Sequence, residues 1–424
     1  MVVYAYALVG EPAALFAEAA EAGDEWAARW LAREYGKATF DARAGSNYAL
    51  RMACAGGHLA LARWIAALFC LTAADAHDKR SYALRHACRG GHLSVAQWLV
   101  TVFGPAPRAE GTEALVRACA GGHLAVAQWA VVALGLDAGD ASDDDNAALS
   151  LACEGGHLAT AQWLVASFGP AVCSNIGSAL QGACMNGHLA VAQWLEPLTR
   201  KYAVSPRQEL KHMSLNTSSI CVTEPACDVG GRALRAACEH GHLEVAKWLT
   251  AAFSLTAMDA RAANNYALRW SCGKGHLAVA QWLAKTFGLT VADVRGRDNL
   301  ALYWACEKGY LAVAQWLVTA FGLTSADARA HHCRALSISC AKGHLAVAQW
   351  LAEVFDLGAG DARAQDNWAL RAARAGGHRH VVEWLAAKFG LDEQEDAEAN
   401  EQGDTELDPM SAIIPMPALL SMRD

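Results

Sequence analysis

A tryptophan returns at the same place in the same local phrase eleven times, at Trp30, Trp64, Trp98, Trp129, Trp163, Trp194, Trp248, Trp282, Trp316, Trp350 and Trp384. Seven of the ten intervals are 34 residues, two are 31 and one is 54. A fixed period of this size describes an array in which each unit stacks only on its neighbours and the core runs on from unit to unit. The repeat therefore overrides the two or three globular domains that 424 residues would otherwise suggest. It predicts an all-α solenoid of about eleven helix-turn-helix units, a form suited to recognition along an extended surface rather than to chemistry in a deep cavity.

One unit, residues 265–298, shows why. Ala267, Leu268, Ser271 and Cys272 are small or apolar at helical spacing, which predicts a first helix of about two turns. Gly273, Lys274 and Gly275 break it, and His276 opens a second helix whose buried stripe is Val279, Ala280, Trp282 and Leu283. Thr290 and Asp293 then have the spacing of a capping box, which recurs at Thr72 and Asp75, Thr256 and Asp259, and Thr324 and Asp327. A brief extra helical turn is expected there, followed by an exposed bend holding the most variable residues, such as Arg295 and Arg297 or His331 and His332. Each repeated tryptophan is expected to insert between its own helix pair and the next as core, so that Ala in its place costs about 3–5 kcal/mol.

Fourteen cysteines suggest a disulfide framework until they are placed in register. Nine of them, Cys54, Cys88, Cys119, Cys153, Cys184, Cys238, Cys272, Cys306 and Cys340, fall at one position of the first helix, where a free thiol serves as a small buried hydrophobe. Cys70, Cys173, Cys221, Cys227 and Cys333 are out of register and are expected in loops. Nine histidines follow glycine in the same way, from His58 and His92 to His344 and His378. Neighbours in that series lie one repeat apart, too far to share an ion, so each ring is expected to bond backbone groups of its own turn. Tyr310 and Asp24 stand at the same position in two units, which suits structure better than ligation. The acidic cluster Asp143, Asp144 and Asp145 lacks further oxygen ligands at calcium spacing and reads as a solvated bend. No catalytic constellation, metal site or cofactor motif interrupts the repeat, and no enzyme activity is expected.

The phrase resembles the ankyrin repeat. The family pattern Thr-Pro-Leu-His-x-Ala-Ala, then Gly-His-x-x-Val-Val-x-Leu-Leu, maps onto residues 265–272 and 275–283, and the resemblance runs through residues 14–391. Three departures mark a Trp-rich subtype. The Thr-Pro step is absent, Trp replaces a family Leu, and the family His after Leu is replaced by Arg51, Arg85, Val116, Ser150, Gln181, Arg235, Arg269, Tyr303, Ser337 and Arg371. The hydrogen-bond role of that His is therefore not carried over.

Composition bounds the rest. A net charge of −8 with 18% charged residues gives no support to a nucleic-acid partner or to a basic membrane-surface helix. No run approaches the roughly 20 apolar residues that span a bilayer, and the apolar start of residues 1–10 has no Lys or Arg before it. A cytoplasmic monomer is expected, with the nucleus as a second possible compartment. Residues 1–36 read as an N-terminal capping repeat, 37–196 as repeats, 197–230 as an insert loop, 231–391 as repeats ending in a C-terminal cap, and 392–424 as an acidic disordered tail.

The resemblance implies a concave face made by first helices and bends, with specificity in the residues that vary there. After the family His position come Met52, His86, Arg117, Leu151, Gly182, Ala236, Trp270, Trp304, Ile338 and Ala372. Trp270 and Trp304, flanked by Arg269 and Tyr303, are consecutive in that column and form a candidate aromatic anchor, with core packing as the competing role. Lys274, Lys308, Arg295 and Arg297 nearby favour an acidic peptide or another carboxylate-bearing partner. The expected function is a non-enzymatic scaffold or adaptor that binds a protein or peptide. The alternative is a substrate-recruiting subunit of a larger machine, such as a ubiquitin ligase, or a host-directed effector.

Overall fold

A computed structural model describes residues 12–36, 47–202 and 229–391. Residues 203–228 of the expected insert and the whole acidic tail lie outside these, as do Cys221 and Cys227. The chain divides into two compact units, Met1–Gly296 and Arg297–Asp424. Among the described residues no strand occurs, and both units are all-α helical repeats.

In the first unit each repeat is a helix pair joined by glycine, for example Tyr48–Ala55 with Leu59–Leu68, Arg108–Ala120 with Leu124–Leu134, and Val229–Glu239 with Leu243–Ala252. First helices pack side by side, Tyr48–Ala55 against Asp78–Arg89 and that against Arg108–Ala120. The second unit repeats the plan in Ser325–Ala341 with Leu345–Val354 and in Ala364–Ala375 with Arg379–Phe389. Helix Leu189–Tyr202 runs through Pro197 past the expected start of the insert, where Arg200 pairs with Glu196 and donates to Ala252 O at 2.8 Å.

The core is thinner than the tryptophan count suggests. It is made mainly of alanine, cysteine and valine with a leucine in most helices: Leu115, Ala118 and Cys119 from one first helix, and Ala161 and Leu164 from a second helix, are fully buried. All nine in-register cysteines are free and buried. Burial pushes the thiols of Cys88, Cys119, Cys153, Cys184 and Cys340 up to about 12, helped at Cys153 by neighbouring Cys173, so they remain protonated hydrophobes at neutral pH. Cys173 and Cys333, expected in loops, are buried as well, whereas Cys70 is exposed.

The repeated tryptophans correct an expectation. Trp98 is buried, but Trp64, Trp129, Trp163, Trp194, Trp248, Trp282, Trp316, Trp350 and Trp384 are half-buried. Beside the half-buried indoles the next residue, Leu164 or Leu283 for instance, takes the core position. One step along a helix turns the side chain by about 100°, so tryptophan and leucine cannot both face the centre. The indole covers the edge of the second helix and meets the phenylalanine five residues on, edge to face, with centroids 5.5 Å apart for Trp98 and Phe103, 5.8 Å for Trp282 and Phe287, and 5.4 Å for Trp384 and Phe389.

The histidines also bond differently from the expectation. His157 Nε2 donates to Ala120 O at 3.1 Å and His344 Nε2 to Glu307 O at 2.9 Å, each a carbonyl at the end of the previous repeat's first helix. His92, His242 and His276 make the same kind of backbone bond to Ala55, Met185 and Glu239. A helix end leaves such carbonyls without intrahelical partners, and the next repeat supplies the donor. The ring reaches them because glycine leaves room: a Cβ on Gly57, which also has φ +79°, would lie 2.4 Å from His92 Nδ1.

Candidate protein-binding surface

The surface that varies is built on an unusual turn. After the short capping-box helices Ala73–Ala76 and Ala138–Ala141 come three consecutive left-handed residues: Lys79, Arg80 and Ser81 in one repeat and Asp144, Asp145 and Asn146 in another. Ala263, Asn264 and Asn265, His331, His332 and Cys333, and Gln365, Asp366 and Asn367 repeat it. Left-handed backbone costs a non-glycine residue about 1–2 kcal/mol, so other contacts must hold the turn. The expected exposed bend is in fact anchored at its third residue, since Ser81 and Asn146 are buried. Asn47 donates to Asp78 Oδ2 at 3.2 Å, Asn146 to Ser174 Oγ at 2.6 Å and Asn265 to Asp293 O at 3.2 Å, while Ser81 donates to Glu110, so each turn is tied to the following repeat.

The arginines at the family His position supply the other half. Arg85 Nε donates to Arg80 O at 2.6 Å and its Nη2 to Lys79 O at 3.0 Å. Arg269 does the same to Asn264 O at 2.7 Å and Ala263 O at 3.0 Å, and Arg371 reaches Gln365 O at 3.4 Å. The guanidinium fork thus gathers carbonyls that a left-handed run turns away from its own helix. The departure from the family His marks a different donor serving the loop.

A second set of arginines joins successive loops. Arg261 Nε and Nη2 grip Asp293 at 2.8 and 3.2 Å, and Arg329 grips Asp361 at 3.0 and 3.1 Å. Arg108 bridges Asp137 and Asp140 at 2.5 and 2.6 Å. Asp293 also accepts from Thr290 N at 2.8 Å, which completes its own capping box. Burial pushes the Asp293 carboxyl up, but Arg261 and Thr290 together outweigh it and hold the group below the ordinary carboxylate range.

The eight candidate residues fall on both sides of the division. In the first unit, Trp270 is 8% exposed, lies 5.6 Å from the Tyr266 ring and has Lys274 Nζ 5.5 Å over its own ring. Arg269 is buried in its loop contacts, and exposed Arg295 occupies the repeat position of Arg261 and Arg329. In the second, Arg334 lies 4.1 Å over the half-buried Tyr303 ring, Trp304 is half-buried, and Arg297 and Lys308 are exposed, with Lys308 paired to Glu307 at 3.2 Å. The roles of Arg269 and Arg261 had no signal in one unit read alone; the recurrence of Arg at two fixed positions was the available clue.

Among the described residues no group of three or more His, Cys, Asp or Glu is placed to hold a metal, and no helix is long and apolar enough to cross a membrane. No curated protein matches the chain. Residues 234–327 match the family described as ankyrin repeats (3 copies), and residues 149–196 that described as ankyrin repeats (many copies). Ankyrin repeats are general protein-protein interaction modules. Residues 149–196 and 234–327 are therefore ankyrin repeats, and the same paired helices recur in register through the other described repeats, with a Gly-His step at most junctions.

Proposed function

We propose that the protein is a non-enzymatic scaffold or adaptor that binds a partner protein or peptide on the face made by its first helices and left-handed turns. The observation that carries this reading is the column Met52, His86, Arg117, Leu151, Gly182, Ala236, Trp270, Trp304, Ile338 and Ala372: it varies from one repeat to the next on a backbone that does not. The position two residues on is Cys in nine repeats and Arg in the tenth, whereas this column ranges from buried Ala236, Trp270 and Ile338 to half-buried Arg117, Leu151 and Trp304. In the first unit Trp270, Lys274 and Arg295 belong to this surface, while Arg269 serves its own loop; in the second unit Tyr303, Trp304, Arg297 and Lys308 do. Their aromatic and cationic character favours a partner segment carrying carboxylates. Localisation in the cytoplasm and a monomeric state belong to the same proposal.

Benzoylphenylalanine placed at position 304 tests it against the same photoprobe at position 315, an exposed site on a second helix. Irradiation in source cells should trap defined proteins from position 304 and not from 315. Trapping from position 315 alone would move the binding face to the second helices and defeat the proposal.

A further inference from the structure

A second cationic and aromatic surface is built on the first helices of residues 48–120, well apart in sequence from the tryptophans just discussed. Tyr82 stacks on His86 with ring centroids 3.8 Å apart and 12° between planes. The Arg51 guanidinium lies 4.6 Å over the Tyr82 ring and 5.6 Å from that of Tyr48. On the next repeat Arg117 Nε pairs with Glu113 at 2.7 Å, and Arg85 approaches the same carboxylate at 3.7 Å. Arg89 stands exposed at the end of the Tyr82 helix. Burial, joined by the charges of Arg85, Arg89, Arg117 and Arg51, holds His86 down to about 4, so at neutral pH it is an uncharged plate surrounded by four guanidinium groups.

The charge on this stretch is set against the rest of the chain. Residues 47–122 hold eight Lys or Arg and four Asp or Glu, in a protein whose net charge is −8. Of the four acids, Asp78 accepts from Asn47, Glu110 accepts from Ser81, Glu113 sits between Arg85 and Arg117, and Asp75 closes the capping box of Thr72. Glu21 borders the patch, accepting from Tyr48 at 3.3 Å. The cationic stretch ends abruptly: residues 123–202 hold seven Asp or Glu and two Lys or Arg.

We infer that this surface binds a short, extended acidic peptide segment of a partner protein. Its carboxylates would pair with Arg89 and Arg117 at the wet edge, and an aromatic or apolar side chain would lie against Tyr48 and the Tyr82–His86 stack. The adjoining acidic stretch repels a polyanion that continues along the array, and Glu113 breaks the patch into separated positive sites. Both features suit carboxylates spaced along a short peptide better than a continuous phosphate backbone. The surface uses neither Trp270 nor Trp304, so failure of one site leaves the other standing.

The test is fluorescence anisotropy of a labelled peptide of Glu, Gly and Tyr titrated with the full chain at low salt. The expected result is saturable binding that weakens as salt rises and falls about tenfold or more in R89E/R117E, while K247E/K285E binds like the parent. A melting curve checks that each variant is folded, and R89E alone, at an exposed position, carries the comparison if the pair is not. Absence of saturable binding, or unchanged binding by a folded R89E, overturns the inference. Displacement of the peptide by single-stranded RNA at lower concentration than by unlabelled peptide also overturns it, in favour of a nucleic-acid site.

Discussion

Residues 47–122 and 123–202 fold into the same helix pairs with the same glycine junctions, yet the first stretch carries twice as many basic as acidic residues and the second more than three times as many acidic as basic. Arg108 of the first reaches across to Asp137 and Asp140 of the second. The core residues correspond position by position, Leu115 with Leu149 and Cys119 with Cys153. A repeated frame therefore tolerates opposite outward chemistries, because its stability rests on residues that face neighbouring repeats. What distinguishes one stretch from another is what each presents to a partner.

The comparison predicts its largest effect where the two stretches are alike. Leu115→Ala and Leu149→Ala should each cost about 2–5 kcal/mol, since both side chains are fully buried and their repeats have little freedom to close the gap. Urea unfolding would show it, and a large inequality between the two would mean that the frame is not shared. A smaller contrast is expected at the tryptophans. Trp98→Ala should cost about 3 kcal/mol because that indole is buried, and Trp163→Ala about 1–2 kcal/mol because its indole is half in water. Equal losses in thermal melts would contradict the half-buried edge described here.

The smallest effect is pH-linked. Burial holds the His92 ring below its ordinary value of 6.5, outweighing its backbone bond to Ala55. A depressed folded-state value means that the unfolded chain binds the proton more tightly, so this stability is present above about pH 6.5 and is lost as pH falls through the lower folded value. Melting temperature should decline on acidification from pH 7.5 to 5.5, and less steeply in His92→Gln. Identical slopes would show that the ring is not buried against the preceding repeat.

Much of this was legible in the sequence. The period, the two helices of each unit, the capping boxes at Thr72, Thr256, Thr290 and Thr324 and the buried cysteine column all follow from spacing within one repeat. These are local properties, set by helical periodicity and by hydrogen bonds that close over three or four residues. The burial of the tryptophans is not legible in their size, because the leucine, isoleucine or alanine that follows each one claims the core direction. The left-handed turns carried only a faint signal, an Asn two residues before Ala-Leu at Asn47, Asn146, Asn265, Asn299 and Asn367.

Tertiary structure decided which groups act between repeats. His157 bonds the preceding repeat rather than its own turn, Arg261 closes on an aspartate 32 residues away, and Arg269 faces inward to its loop instead of outward to a partner. The sequence determined the repeating unit, because a unit's secondary structure depends on near neighbours. The stacking of units determined the roles of these polar side chains, because a long side chain on a repeat boundary can reach forward, backward or into solvent, and only the placement of the adjoining repeat selects among them.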